Sequence, residues 1–211
     1  MISGHSNRLY FVGIFVTSNF VGKELVRPLI LGISAMSLDG FIATERPTDT
    51  DEFSGAGDAE LDQWIMDSNS NAGTLVMGRT TYLAMTEYWP NSTEILAAPM
   101  NSIPKVVFSK SLKEATWTNS TIASGDTVDE VRRLKAQRGG PIAALGGIKF
   151  LQSLAALDVV DEYHLLLSPY VAGSGQALFS GVSKKRGMKL VSSKQFDSGV
   201  MLLVYRPARS N

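Results

Sequence analysis

The chain of 211 residues contains no cysteine. That excludes disulfides, thiolate metal sites and cysteine nucleophiles together. Histidine is almost as scarce, with only His5 and His164. A histidine metal site or a Ser-His-Asp triad would have to be built on one of these two. His164 sits in the run Tyr163-His164-Leu165-Leu166-Leu167 and reads as a packed or surface strand residue. Neither sign of charge dominates: 20 Lys and Arg balance 20 Asp and Glu. There is thus no basic stripe for a nucleic acid and no acidic tail for a basic partner. Residues 9–16, LYFVGIFV, are apolar but fall far short of the ~20 residues that span a bilayer. No small-x-small cleavage site follows them, so they read as an extra strand or an extension rather than a targeting signal. The dinucleotide fingerprint G-x-G-x-x-G and the P-loop G-x-x-x-x-G-K-[ST] are both missing, which removes the two commonest phosphate-binding loops. With no membrane span and no nucleic-acid surface, a cytoplasmic protein is expected.

What remains is a globular composition, 44% hydrophobic and 19% charged, of a length suited to one domain with an appendage. Residues 29–36 form a short apolar run, read as a buried strand, and the Asp39-Gly40 turn follows it. Residues 44–57 are polar and read as a loop. Asp58 can cap a helix over residues 59–68, with Leu61, Trp64 and Ile65 on one face. Further buried strands are predicted at residues 74–77, 105–108, 142–145 and 159–167. Helices are predicted from Gly78 through Met85 and over residues 148–156. Thr127-Val128-Asp129-Glu130 has the spacing of a capping box for another. Residues 188–196 and 200–205 read as a terminal antiparallel hairpin turned at Asp197-Ser198-Gly199. Alternating strands and helices closed by a hairpin predict an α/β fold: a mostly parallel sheet, helices on both faces and an antiparallel edge. No linker divides residues 28–207, so residues 1–27 are set apart as an N-terminal extension.

Ligands of open α/β sheets bind at the carboxyl ends of the strands, and three junctions there carry suggestive residues. At Gly78-Arg79-Thr80 a glycine lets backbone approach a ligand, and the helix start that follows offers free N–H groups. Arg79 opposes the helix dipole at that end, a mismatch an anion would repair. Gly146, Gly147 and Ile148 open another helix with the same physics. Ser109 and Lys110 place a hydroxyl and a cation just past a third strand. Taken singly, each is as well explained by a tight turn or a solvated side chain.

In combination they resemble the dihydrofolate reductase superfamily. The order is strand, Leu38-Asp39-Gly40-Phe41-Ile42-Ala43, helix, strand, Met77-Gly78-Arg79-Thr80-Thr81-Tyr82, strand, Phe108-Ser109-Lys110, strand, Leu145-Gly146-Gly147, helix. The stretch from Val160-Asp161-Glu162 through Ser168-Pro169 to Gly173-Ser174-Gly175 and Leu178-Phe179 is similar to a signature of the reductase domain of riboflavin-biosynthesis deaminase–reductases and of its stand-alone relatives. The resemblance implies a dihydrofolate-reductase-like three-layer fold, an NADPH cofactor and a pteridine- or pyrimidine-like heterocyclic substrate. It implies 5-amino-6-(5-phosphoribosylamino)uracil reduction as the activity, and a homodimer. Reduction of folate or another small molecule and a non-catalytic nucleotide-binding role stand as alternatives. Ala35 and Ile42 would flank the nicotinamide, Arg79 and Thr80 would hold phosphates, and Ser109 and Lys110 would lie near the 2′-phosphate. Gly78 would open the phosphate turn, and Gly146, Gly147 and Ile148 would embrace the diphosphate. Asp39 is either a turn residue or part of the substrate rim. Asp62 is either a solvated first-turn carboxylate or, by ungapped counting back from Gly78, a proton relay. Leu145 stands where the riboflavin enzyme usually carries glutamate, and the cysteine-dependent zinc signature of the deaminase is absent.

Overall fold

The computed structural model describes residues 27–43, 55 and 57–208. The apolar stretch at residues 9–16 and nearly all of the polar loop before Asp58 lie outside them. The elements in chain order are β1 (Leu29–Met36), β2 (Phe41–Ala43), α1 (Ala59–Ser70), β3 (Thr74–Gly78), α2 (Arg79–Tyr88), α3 (Ala97–Ser102), β4 (Lys105–Phe108), β5 (Ser120–Ile122), α4 (Thr127–Lys135), β6 (Ile142–Leu145), α5 (Ile148–Ala156), β7 (Glu162–Leu167), β8 (Gln176–Ala177), β9 (Met188–Gln195) and β10 (Met201–Pro207). Eight strands form one sheet in the order β5-β4-β3-β6-β1-β7-β10-β9, and β2 pairs with β8 beside it.

The first six strands of that sheet run parallel, and β10 and β9 close it antiparallel. The apolar runs make this arrangement stable because both faces are covered. On one face Leu29, Leu31, Val76 and Ile142 pack with Val131 and Leu134 of α4 and with Leu151 and Leu154 of α5. On the other, Leu75, Met77, Val107 and Leu145 pack with Tyr82 and Met85 of α2 and Met100 of α3. Leu61, Trp64 and Ile65 of α1 cover Leu166, Leu202 and Val204 on that second face. Fully burying a leucine or methionine of this kind contributes ~1.5–3 kcal/mol. The mostly parallel three-layer α/β fold expected from the sequence is the one observed, terminal hairpin included.

Several local expectations are corrected. The cap of α4 is Asp126, whose carboxylate accepts the Val128 N–H at 2.8 Å; Thr127 is already helical. Glu130, the other half of the expected capping box, forms a two-pronged contact with Arg133 instead, at 3.0 and 2.6 Å. Strand β7 starts at Glu162 rather than at 159, because Asp161 is spent on the Leu29 N–H at 2.8 Å and on Lys135 at 2.5 Å. Helix α3 and the short strands β2, β5 and β8 were not anticipated.

Buried polar groups are held by specific partners. Glu162 lies between His164 at 2.5 Å and Arg206 at 2.7 Å. Burial works to raise its carboxyl, but the bonds to His164 and Arg206 outweigh it and hold the group below its ordinary value. Lys105 donates to the carbonyls of Asn101, Ile103 and Thr118 and lies over the Trp117 ring. Among the described residues, no helix is long and apolar enough to cross a membrane, and no group of acidic or histidine side chains is arranged to hold a metal.

Candidate active site

The carboxyl ends of β4, β3, β6, β1 and β7 lie on one edge of the sheet, because these strands are parallel neighbours. Helix α2 leaves β3 toward one face, and α5 leaves β6 toward the other. Adjacent strands whose helices diverge in this way open a crevice, where ligands of α/β sheets bind.

Two helices begin at this crevice. The N-caps of α2 and α5 are Gly78 and Gly147, and neither start has a side-chain cap. In contrast, Asp58 caps α1 and Asp126 caps α4. The uncapped starts leave N–H donors and the positive ends of two helix dipoles facing the same opening. Arg79, Thr80 and Lys149 are exposed in these first turns, and Ile148 is half-buried. Gly78 is in register with Phe108, so Ser109 and Lys110 follow on the neighbouring strand end. The Ser109 Oγ accepts the N–H groups of Ser111 and Leu112 at 3.2 and 3.0 Å, which fixes the turn, while Lys110 is exposed.

A residue not anticipated from the sequence ties the junctions together. Thr81 is buried in the first turn of α2, and its Oγ1 accepts the Gly147 N–H at 2.7 Å. Gly146 has a φ of +119°, and an added Cβ there would collide with the Thr81 side chain. An added Cβ on Gly147 would meet only Thr81 Oγ1, at 3.7 Å, so its other side is open. The second threonine of Gly78-Arg79-Thr80-Thr81, spaced to face inward on a helix, was the signal for it.

On the other side of the crevice the pairing of β1 with β7 slips by one residue between Ile33 and Met36. Ala35 falls in that bulge, half-buried, and Ile42 packs against the core from β2. Bulges of this kind re-aim backbone groups next to active sites. The turn after β1 is built by Ser37, whose Oγ accepts the Phe41 N–H at 3.0 Å. Leu38 N–H donates to Tyr170 O at 2.8 Å. Asp39 accepts the N–H groups of Ala172 and Gly173 at 3.0 and 2.8 Å, pinning the segment after β7 to this turn. Hydrogen bonds from Ser37 first, then from Ala172 and Gly173, bring its carboxyl down to about 2. Burial, and then the nearby Asp39 charge, raise the Tyr170 phenol.

Asp62 stands exposed in the first turn of α1, where the dipole favours a carboxylate, and its N–H donates to Asp58 O at 2.9 Å. Asp58 also accepts the Ser198 N–H at 2.8 Å, which brings the β9–β10 turn to the same end of α1. The structure therefore brings Gly78, Arg79, Thr80, Gly146, Gly147 and Ile148 together around Thr81, with Ser109 and Lys110 beside them. Ala35, Ile42 and Asp39 form a second group at the ends of β1 and β7, and Asp62 lies on the helix beyond.

The RibD C-terminal domain matches residues 28–202. The chain belongs to that family. Leu145, at the place of the usual glutamate, is buried in the same cluster as Met77 and Tyr82, so no carboxylate projects there. Among curated proteins, the chain is similar to the uncharacterized protein YyaP of Bacillus subtilis (strain 168), at 30% identity over 203 residues covering 90% of this chain and 98% of that one. Among solved structures it is similar to the diaminohydroxyphosphoribosylaminopyrimidine deaminase/5-amino-6-(5-phosphoribosylamino)uracil reductase of Thermotoga maritima, with a TM-score of 0.61 and 19% identity over 87% of this chain and 57% of that one. A dihydrofolate reductase from Enterococcus faecalis, complexed with NADP(H) and RAB-propyl, superposes with a TM-score of 0.52 and 13% identity over 87% of this chain and 97% of that one. These likenesses establish the dihydrofolate-reductase-like fold.

Proposed function

We propose that this chain is an NADPH-dependent reductase of a planar pyrimidine- or pteridine-like heterocycle. The observation that carries the reading is the meeting of two uncapped helix starts across the β3–β6 crevice, locked by the Thr81–Gly147 hydrogen bond. Family membership and the NADP(H)-bound dihydrofolate reductase of the same fold support it.

The residues present fit a dinucleotide phosphate. Free N–H groups of α2 and α5 would receive the diphosphate, and the open side of Gly147 leaves room for its oxygens. Arg79 would bind a phosphate through its planar fork, and Lys110 with Ser109 would select the 2′-phosphate of NADPH over the bare hydroxyl of NADH. Ala35, at the β1 bulge, and Ile42, on β2, would hold the nicotinamide carboxamide through backbone groups. Bound NADPH would supply the hydride. The chain would orient the acceptor ring, and Asp62 would relay the proton that completes the reduction. The exposed Met188, Leu190 and Val191 of the edge strand β9 support a homodimer.

Quenching of tryptophan fluorescence by NADPH, with NADH in parallel, tests the cofactor reading. Micromolar binding selective for NADPH is expected, and absence of binding overturns it.

A further inference from the structure

The carboxyl-end edge of the sheet is divided by charge. Around the ends of β3, β4 and β6, the exposed ionisable side chains of the first turns are the cations Arg79, Lys110 and Lys149. Around the ends of β1 and β7 and the start of α1 they are Asp39, Glu60 and Asp62, with the half-buried Asp58 beside them and Asp197 in the adjoining β9–β10 turn. The hydrogen bonds to Asp39 and Asp58 hold both carboxyls below their ordinary values, so both stay ionised. Lys194 is the described cation beside them, and it is paired with Glu60 at 2.8 Å.

A second feature of the same rim is apolar. Leu38 is 59% exposed and Val171 is 70% exposed. They stand on the two segments joined by the Leu38–Tyr170 hydrogen bond. Apolar side chains held out at the mouth of a crevice suit contact with a flat ring rather than with an ionic group.

Resting on the reductase reading above, we infer that the substrate of this site is an unphosphorylated heterocycle, neutral or cationic at its ring substituents. The cations of the edge are committed to the phosphates of the cofactor. A phosphate ester on the substrate would meet several carboxylates and no uncommitted cation among the described residues. A screened carboxylate opposes a nearby phosphate dianion by a fraction of a kcal/mol, and several together disfavour it by about tenfold.

The test is calorimetric titration of the NADP+-saturated full chain with two ligands differing only in one group. One is 5-amino-6-(5-phosphoribosylamino)uracil, and the other is the same compound without its phosphate. Binding of the dephosphorylated form about tenfold tighter at low ionic strength is expected, with the gap narrowing in high salt. The double variant Glu60→Gln, Asp62→Asn, which frees Lys194 and removes two charges, should shrink the gap severalfold. Equal or tighter binding of the phosphate ester overturns the inference, and so does failure of both ligands to bind. The preceding NADP+ titration in the same cell shows separately whether the cofactor reading stands.

Discussion

Thr81 Oγ1 accepts the Gly147 N–H at 2.7 Å, joining the first turns of two helices that lie on opposite faces of the sheet. The bond crosses from β3 to β6 and fixes the separation of the two uncapped helix starts. Thr81→Val conserves shape and removes the acceptor. Its expected cost in stability is small, about 0.5–1.5 kcal/mol by urea unfolding. NADPH affinity should fall about tenfold, as expected for the loss of roughly one such interaction, while Thr81→Ser retains it. Affinity unchanged in the valine variant would detach this bond from cofactor binding.

The paired glycines should separate by mechanism. Gly146 has a positive φ and its α-carbon faces the Thr81 side chain, so Gly146→Ala combines backbone strain with a clash. A loss of about 2–4 kcal/mol in stability is expected, read by denaturant midpoint. Gly147 has ordinary φ and space beside it. Gly147→Val should fold normally and lose NADPH binding, because its branched side chain would occupy the place of the phosphate oxygens. Normal cofactor affinity in a folded Gly147→Val protein removes α5 from the site.

The parts of this fold that were legible in the sequence were those with strong local signals. The apolar runs of β1, β3, β4 and β6 and the Asp58 cap each point to one structure on their own. The Ser-Thr-Ile of β5 and the two residues of β8 have no such pattern, since they are held by a neighbouring strand rather than by burial. Asp126 took the cap from Thr127 because its carboxylate accepts the Val128 N–H, which starts the helix one residue earlier and leaves Thr127 inside it. In the site, the glycine-helix junctions were visible as types of residue. The Thr81 clasp and the Asp39 pin were not, because they join residues 66 and more than 130 positions apart.

Arg79 distinguishes two placements of the cofactor. Arg79→Ala should weaken NADPH far more than NADH if the guanidinium reaches the 2′-phosphate, by at least tenfold for a charge-assisted bond. Equal weakening of both cofactors assigns Arg79 to the diphosphate, and fluorescence titration of the variant with each dinucleotide decides between them.

Asp62→Asn keeps the size and the first-turn position of the side chain but cannot carry a proton. If Asp62 relays the proton, turnover should fall by about 10²–10⁴-fold with NADPH affinity unchanged. Normal turnover, followed as loss of NADPH absorbance, makes the residue a solvated carboxylate that only favours the helix start.

Asp39 sets a pH dependence whose sign follows from its shifted carboxyl. In the folded chain it titrates at about 2, held down by Ser37 and by the N–H groups of Ala172 and Gly173. Unfolded, an aspartate titrates near ~3.9. Between these values the unfolded chain binds more protons, so stability rises with pH through this window. The stabilising contribution is complete above the unfolded value and is lost as pH falls toward 2. The segment after β7 should then detach from the β1 turn. Amide NMR titration should show Ala172 and Gly173 shifting together with a midpoint near 2, and Asp39→Asn should abolish that transition. Amide signals of Ala172 and Gly173 that move with a midpoint near 4 would show that the pin does not hold in solution.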